Sequence, residues 1–146
     1  MHKVSFEELM QKVKECNYFG NFSVLRNLDT SEVTDFSYLF QDCDKLKDLN
    51  FVYNWDLSNA TSINGIFKNC INLTDISGCS NWNLSSTLED GMKEVFLNND
   101  KLDLISKNLF LRKQMNNDFM KQTYQNLSDN QLEKLYFDII YPIEKS

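Results

Sequence analysis

The sequence predicts an α/β repeat fold, in which short coils stack into a solenoid closed by helices at both ends. Three observations point there. The chain matches itself at an offset of 27 residues, apolar residues recur at fixed places inside each copy, and both patterns stop near Ile105, where helical spacing takes over. A chain of 146 residues is enough for one domain with a sizeable core, so residues 1–146 are read as a single unit.

The offset is visible when the segment Asp29–Leu49 is laid on Asp56–Ile76. Ungapped matches fall at Asp29/Asp56, Ser31/Ser58, Thr34/Thr61, Phe36/Ile63, Leu39/Ile66, Phe40/Phe67, Cys43/Cys70, Leu46/Leu73, Asp48/Asp75 and Leu49/Ile76. A third copy is more eroded. Trp82, Asn83 and Ser85 keep the offset of 27 from Trp55, Asp56 and Ser58, whereas Phe96, Asn99, Leu102 and Ile105 sit 29 after Phe67, Cys70, Leu73 and Ile76. Two inserted residues between Ser85 and Phe96 explain the change, and a bulged loop is expected near Leu88–Gly91.

Inside each copy lies the leucine-rich-repeat form L-x-x-L-x-L-x-x-N. It reads Leu46, Leu49, Phe51, Asn54 in one copy and Leu73, Ile76, Gly78, Asn81 in the next, with a cap-like version at Phe19, Phe22, Val24 and Asn27. Alternation places one face of a short strand in the core. Stacked Asn27, Asn54 and Asn81 are expected to form a ladder that satisfies backbone groups at the bend. Phe36, Leu39 and Phe40, like Ile63, Ile66 and Phe67, have helical spacing, which predicts one or two helical turns on the convex side. Cys43 and Cys70 are expected to stack as small buried hydrophobes.

The run from Asn54 to Ile76 resembles the BspA-like leucine-rich repeat, the DUF285 or mycoplasma surface-protein repeat. Its form is roughly W-D-[VT]-S-x-V-T-x-M-x-x-M-F-x-x-C-x-x-L. Trp55, Asp56, Ser58, Thr61, Phe67, Cys70 and Leu73 match it, as do Asp29, Ser31, Val33, Thr34, Phe40, Cys43 and Leu46 in the preceding copy. The resemblance covers about residues 27–105. It implies a short right-handed leucine-rich-repeat solenoid, with adhesion or protein binding on bacterial surfaces as its usual role.

The ends complete the expected architecture: an N-terminal helical cap over residues 1–18, repeats over 19–105, and a C-terminal two-helix cap or arm over 106–146. Open solenoid ends need such covers. Ser5-x-x-Glu8 is a capping box, and Phe6, Leu9, Met10, Val13 and Cys16 then share one helical face, giving a helix from about Ser5 to Glu15. Leu109, Phe110, Met115, Phe119, Met120 and Tyr124 follow an irregular helical pattern. Ser128-x-x-Gln131 opens a second helix carrying Leu132, Leu135, Tyr136, Ile139 and Ile140, stopped before Pro142. The cluster Lys107, Arg112 and Lys113 reads as a solvated face.

Composition narrows the function. A net charge of −6 opposes a broad phosphate-binding surface and suits solubility or a basic partner, so no direct nucleic-acid binding is expected. The beginning of the chain has no apolar signal-like core, and no run is long enough to span a membrane, so a cytoplasmic location, no membrane association and reduced thiols at Cys16, Cys43, Cys70 and Cys79 are expected. Catalysis is not expected. His2 is the single histidine, at an end expected to be loose, and no phosphate loop, dinucleotide fingerprint or CxxC occurs. Cys79 lacks a visible base. Asp42, Asp44 and Asp48 do not make a calcium loop, which needs more oxygen ligands and a glycine at its turn. No cofactor or metal is implied.

The strand pattern defines a candidate partner-binding face. Its outward positions are Asn21, Ser23 and Leu25; Asp48, Asn50 and Val52; and Asp75, Ser77 and Cys79, with Leu104 and Ser106 extending the sheet. Strands about 4.8 Å apart would align these as an acidic column beside an apolar one. Two readings follow. One is a non-enzymatic protein–protein interaction module that binds its partner through the concave face, with a homodimer through the C-terminal helices as a further possibility. The other is a small acidic inhibitor encoded by a phage or mobile element, blocking a bacterial defence nuclease.

Overall fold

The computed structural model describes residues 2–87 and 90–113, together with 128, 130 and 131. Its chain order is strand β1 (His2–Lys3), helix α1 (Phe6–Phe19), a 3-10 helix at Ser23–Asn27, strand β2 (Leu28–Asp29), further 3-10 helices at Asn50–Val52 and Ser77–Cys79, and helix α2 (Leu104–Lys113).

The copies are joined by hydrogen bonds that repeat with the sequence. Alternate N–H groups of the first copy donate to the second: Phe36 to Ser62 O, Tyr38 to Asn64 O, Phe40 to Ile66 O and Asp42 to Lys68 O, at 2.8–2.9 Å. The second copy donates to the third in the same way, from Ile63 to Gly91 O, Gly65 to Lys93 O and Asn69 to Leu97 O. Ser62 thus corresponds to Gly91 and Asn64 to Lys93, whereas Thr87 N donates to Leu84 O as Ala60 N does to Leu57 O. The offset therefore changes between Thr87 and Gly91, where the two-residue insertion was expected.

The convex helical turns do not form. Tyr38 and Asp42 have φ of 61° and 65°, and the matching Gly65 and Asn69, then Glu94 and Asn98, are also left-handed. That conformation breaks a helix and aims alternate N–H groups at the next copy, while those between close turns on their own copy. The inward direction of the apolar residues is nonetheless as expected, with Phe36, Leu39, Phe40, Ile63, Ile66 and Phe67 all buried.

One continuous core runs from Val4 to Phe110. Its spine is a stack of rings: Phe40 lies 5.8 Å from Phe67, and Phe67 lies 6.2 Å from Phe96, at interplanar angles of 16° and 11°. Trp55 stacks beside Phe40 and Trp82 beside Phe67. Each indole N–H reaches back one copy, Trp55 to Leu25 O at 2.9 Å and Trp82 to Val52 O at 3.3 Å. Buried indoles are thereby satisfied, and each bond fastens two copies. Cys70 Sγ likewise donates to Phe40 O, and Asn99, at the next place in that column, donates to Phe67 O and Cys70 O.

Both ends of the stack are covered. Ser5 Oγ accepts from Glu8 N at 3.1 Å, and α1 buries Leu9, Val13 and Cys16. The helix runs past Glu15 to Phe19 and ends at Gly20, whose φ of 72° closes it through the left-handed region. β1 pairs in parallel with β2, His2 with Leu28 and Lys3 with Asp29, so His2 is not a loose end as expected but part of the stack. At the other end Phe110 of α2 meets the last ring of the spine, Phe96, edge-on at 5.2 Å. The capping box at Ser128 and Gln131 forms reciprocally, at 2.9 and 3.2 Å. The rest of the expected second C-terminal helix, and the dimer arm placed on it, lie outside the described residues.

Candidate partner-binding face

The face expected from the strand pattern is built differently from its prediction. The leucine-rich segments do not extend as strands. They contribute one parallel bridge, Asp48 with Asp75, and then turn at once into the 3-10 helices. The cause is local chemistry. Asn21, Asp48 and Asp75 each accept, through Oδ1, the backbone N–H two residues on, from Ser23 at 3.0 Å, Asn50 at 3.1 Å and Ser77 at 2.9 Å. Such Asx turns bend the backbone where a strand would continue.

The turn rotates the next residue inward. Leu25, Val52 and Cys79 are 0% exposed, so the apolar column does not exist on the surface. Asn21, Ser23, Asp48, Asn50, Asp75 and Ser77 remain exposed and recur in line across the copies. Leu104 and Ser106 do not extend a sheet either. They lie in α2, where the Asp103 carboxylate accepts Ser106 N at 2.8 Å.

The Asn ladder is displaced as well. Asn27, Asn54 and Asn81 are exposed. The ladder runs instead through the left-handed positions: Asn69 Nδ2 donates to Asp42 Oδ1 at 2.9 Å, and Asn98 Nδ2 to Asn69 Oδ1 at 2.7 Å. A second series links Asn17 to Asp44 and Asn72 to Asp44 O. The Asp-rich positions are therefore used by the stack, and no group of three or more potential metal-binding side chains occurs among the described residues.

The titratable groups of this region are shifted by local hydrogen bonds and by burial. Hydrogen bonds from Ser77 hold the Asp75 carboxyl below the usual carboxylate range. The four cysteines are free and buried. Burial pushes the thiols of Cys43 and Cys79 up to about 12, and Cys79 Sγ is spent on Ile76 O at 3.1 Å. A protonated, inaccessible thiol is inert as a nucleophile.

Sequence reasoning missed a cleft of about 290 Å³ at one edge of this face. Asn21, Ser23, Asp48 and Asn50 line it together with Arg26, Lys45 and Lys47. A signal was present: the residues 27 places on are Tyr53, Asn72 and Thr74, so this basic set does not recur at the next step of the repeat. No helix among the described residues is long and apolar enough to cross a membrane.

Fold and face together define a repeat protein whose copies present a recurring polar surface over a shared core. The family described as "Mycoplasma protein of unknown function, DUF285" matches residues 5–134, and the chain belongs to that family. No curated protein and no solved structure matches it.

Proposed function

We propose that this protein is a non-enzymatic protein–protein interaction module, a short right-handed solenoid of the leucine-rich-repeat type. It docks a protein partner on the face carrying Asn21, Ser23, Asp48, Asn50, Asp75 and Ser77. The observation that carries this reading is the repetition of the exposed Asx turns, each standing directly on a buried anchor, Leu25, Val52 or Cys79. Backbone fixed in this way leaves little to order on binding, and pre-organisation reduces the entropic cost of association. Membership of a repeat family supports the same reading.

The test obstructs the face without unmaking its turns. Asn21 shows that Asn closes the turn as Asp does, so Asp75→Asn combined with Ser77→Lys alters charge and shape while the backbone bond survives. Partners captured from an extract of the source organism by the unaltered protein are expected to fall about tenfold with the variant, the loss of one or two interfacial contacts. Its Tm is expected to stay within a few degrees. Equal capture by a folded variant would remove this face from the proposal.

A further inference from the structure

We propose that the cleft at the α1 edge of this face is a carboxylate-binding site that receives an acidic peptide segment, two or more Asp or Glu side chains, from the partner. The inference rests on the docking reading for the partner, while the anion chemistry of the cleft is its own.

Three cations, Arg26, Lys45 and Lys47, line the cleft, against one carboxylate, Asp48. One oxygen of that carboxylate is already committed to Asn50 N. The ion pairs among the described residues are His2–Glu8, Lys3–Glu32 and Lys68–Glu94, and none of them uses the three cleft cations. In a chain of net charge −6, three exposed cations gathered in one concavity without anionic partners leave an unmet demand for negative charge.

The stack does not require these residues. Their counterparts in the next copy, Tyr53, Asn72 and Thr74, occupy the same backbone: Leu25 N donates to Phe22 O as Val52 N does to Leu49 O. The cations are nevertheless held on fixed points. Lys45 N is tied to Asn17 Oδ1 of α1 at 3.1 Å, and the Lys45 stem passes over Gly20, where a Cβ would lie 3.4 Å from its Cδ. Lys47 O accepts Thr74 N at 3.0 Å and Asp75 N at 3.3 Å. Arg26 follows Leu25, whose carbonyl holds the Trp55 indole.

Size and charge select the ligand. About 290 Å³ lies at the lower limit of small-molecule pockets, roughly 300 Å³, and fits one or two side chains. A nucleic acid needs a stripe of positive charge along its backbone. Here the cations are confined to one cleft that also holds the Asp48 carboxylate, so no continuous positive stripe exists for a polyphosphate, whereas a short acidic segment can be met by the three cations.

The measurement is fluorescence anisotropy of a labelled hexaglutamate peptide titrated with the whole chain. The key variant replaces the cations by their counterparts from the neighbouring copy: Arg26→Tyr, Lys45→Asn and Lys47→Thr. Binding is expected to weaken at least about tenfold in this variant, a loss typical of charge-assisted contacts, and to weaken with added salt. The exchange Lys93→Ala, outside the cleft, is expected to change nothing. Installing Tyr53→Arg, Asn72→Lys and Thr74→Lys in the triple variant is expected to restore binding one copy along, which keeps the test decisive if the first exchange alone perturbs folding. Failure of the peptide to bind, equal binding by the folded triple variant, tighter binding of a labelled hexathymidylate, or displacement by inorganic phosphate at matched concentration would each overturn the assignment. None of these outcomes touches the capture experiment with Asp75→Asn and Ser77→Lys, so the two proposals fail separately.

Discussion

Asn69 carries both requirements of the stack in one side chain. Its φ is 61°, a region that Asn tolerates better than most residues, and its amide joins Asp42 on one side to Asn98 on the other. Asn69→Ala should therefore cost about 1–3 kcal/mol, from backbone strain together with two lost bonds. Asn69→Gly should cost less, because glycine adopts the same φ freely and forfeits only the bonds. Urea denaturation of the two variants separates the contributions. Equal losses would mean that the left-handed backbone is not strained there. The sequence matches fall on either side of this position, at Phe40/Phe67 and Cys43/Cys70, and pass over it, because the pairing of Asn with Asp across copies depends on which side of the turn faces the neighbour.

At the scale of the element, the spacing between copies is set at Gly78. It occupies the place that Phe51 holds one copy earlier, which reads in sequence as an apolar slot left empty. In the structure a Cβ there would lie 1.8 Å from Leu49 O and 3.0 Å from Asn50 N. The backbone of one copy fills the space that a side chain would need. Gly78→Ala must open the stack against backbone, which does not yield as a flexible side chain would, and should cost about 2–4 kcal/mol. A calorimetric Tm lower by several degrees is the expected result. An unchanged Tm would show that the copies are not held at this distance.

Across the whole molecule, pH acts through the buried thiols and the turn carboxylates. The Cys43 and Cys79 thiols ionise only near about 12 in the folded chain, while the unfolded chain releases those protons near the ordinary thiol value of 9.0. Below that value both states are protonated and nothing changes. Between about pH 9 and 12 the unfolded state holds fewer protons, so stability falls by up to about 1.4 kcal/mol per pH unit for each thiol. Cys79→Ala should flatten the decline of Tm from about pH 9 upward relative to the unaltered protein, and a parallel decline would show that this thiol is not linked to folding. On the acid side the sign is reversed. Asp75, Asp29 and Asp103 have carboxyls lowered by their bonds to Ser77, Ser31 and Ser106, and what they contribute is present above the ordinary carboxylate value and lost as pH falls below it through their lowered folded values.

The sequence by itself determined the period, the inserted pair of residues between Ser85 and Phe96, the inward-facing Phe40, Phe67 and Phe96, the cap on Ser5, and the family. These are properties of spacing and residue type, and a recurring spacing survives whatever shape each copy takes. Only the tertiary structure decided the path of the backbone between those points. Leu25, Val52 and Cys79 alternate as outward strand residues would, yet the Asx bond before each one bends the chain and carries them to full burial. Likewise Phe36 to Phe40 has helical spacing, but the N–H groups of Phe36, Tyr38 and Phe40 are taken by the neighbouring copy, while Leu39 N bonds within its own turn. A backbone group can make its bond locally or across the stack, and hydrophobic spacing does not distinguish the two. The cleft at Arg26, Lys45 and Lys47 belongs to the same class. Arg26 lies nineteen residues before Lys45, in the 3-10 helix Ser23–Asn27, and meets Lys45 and Lys47 only because the following copy is stacked on that segment.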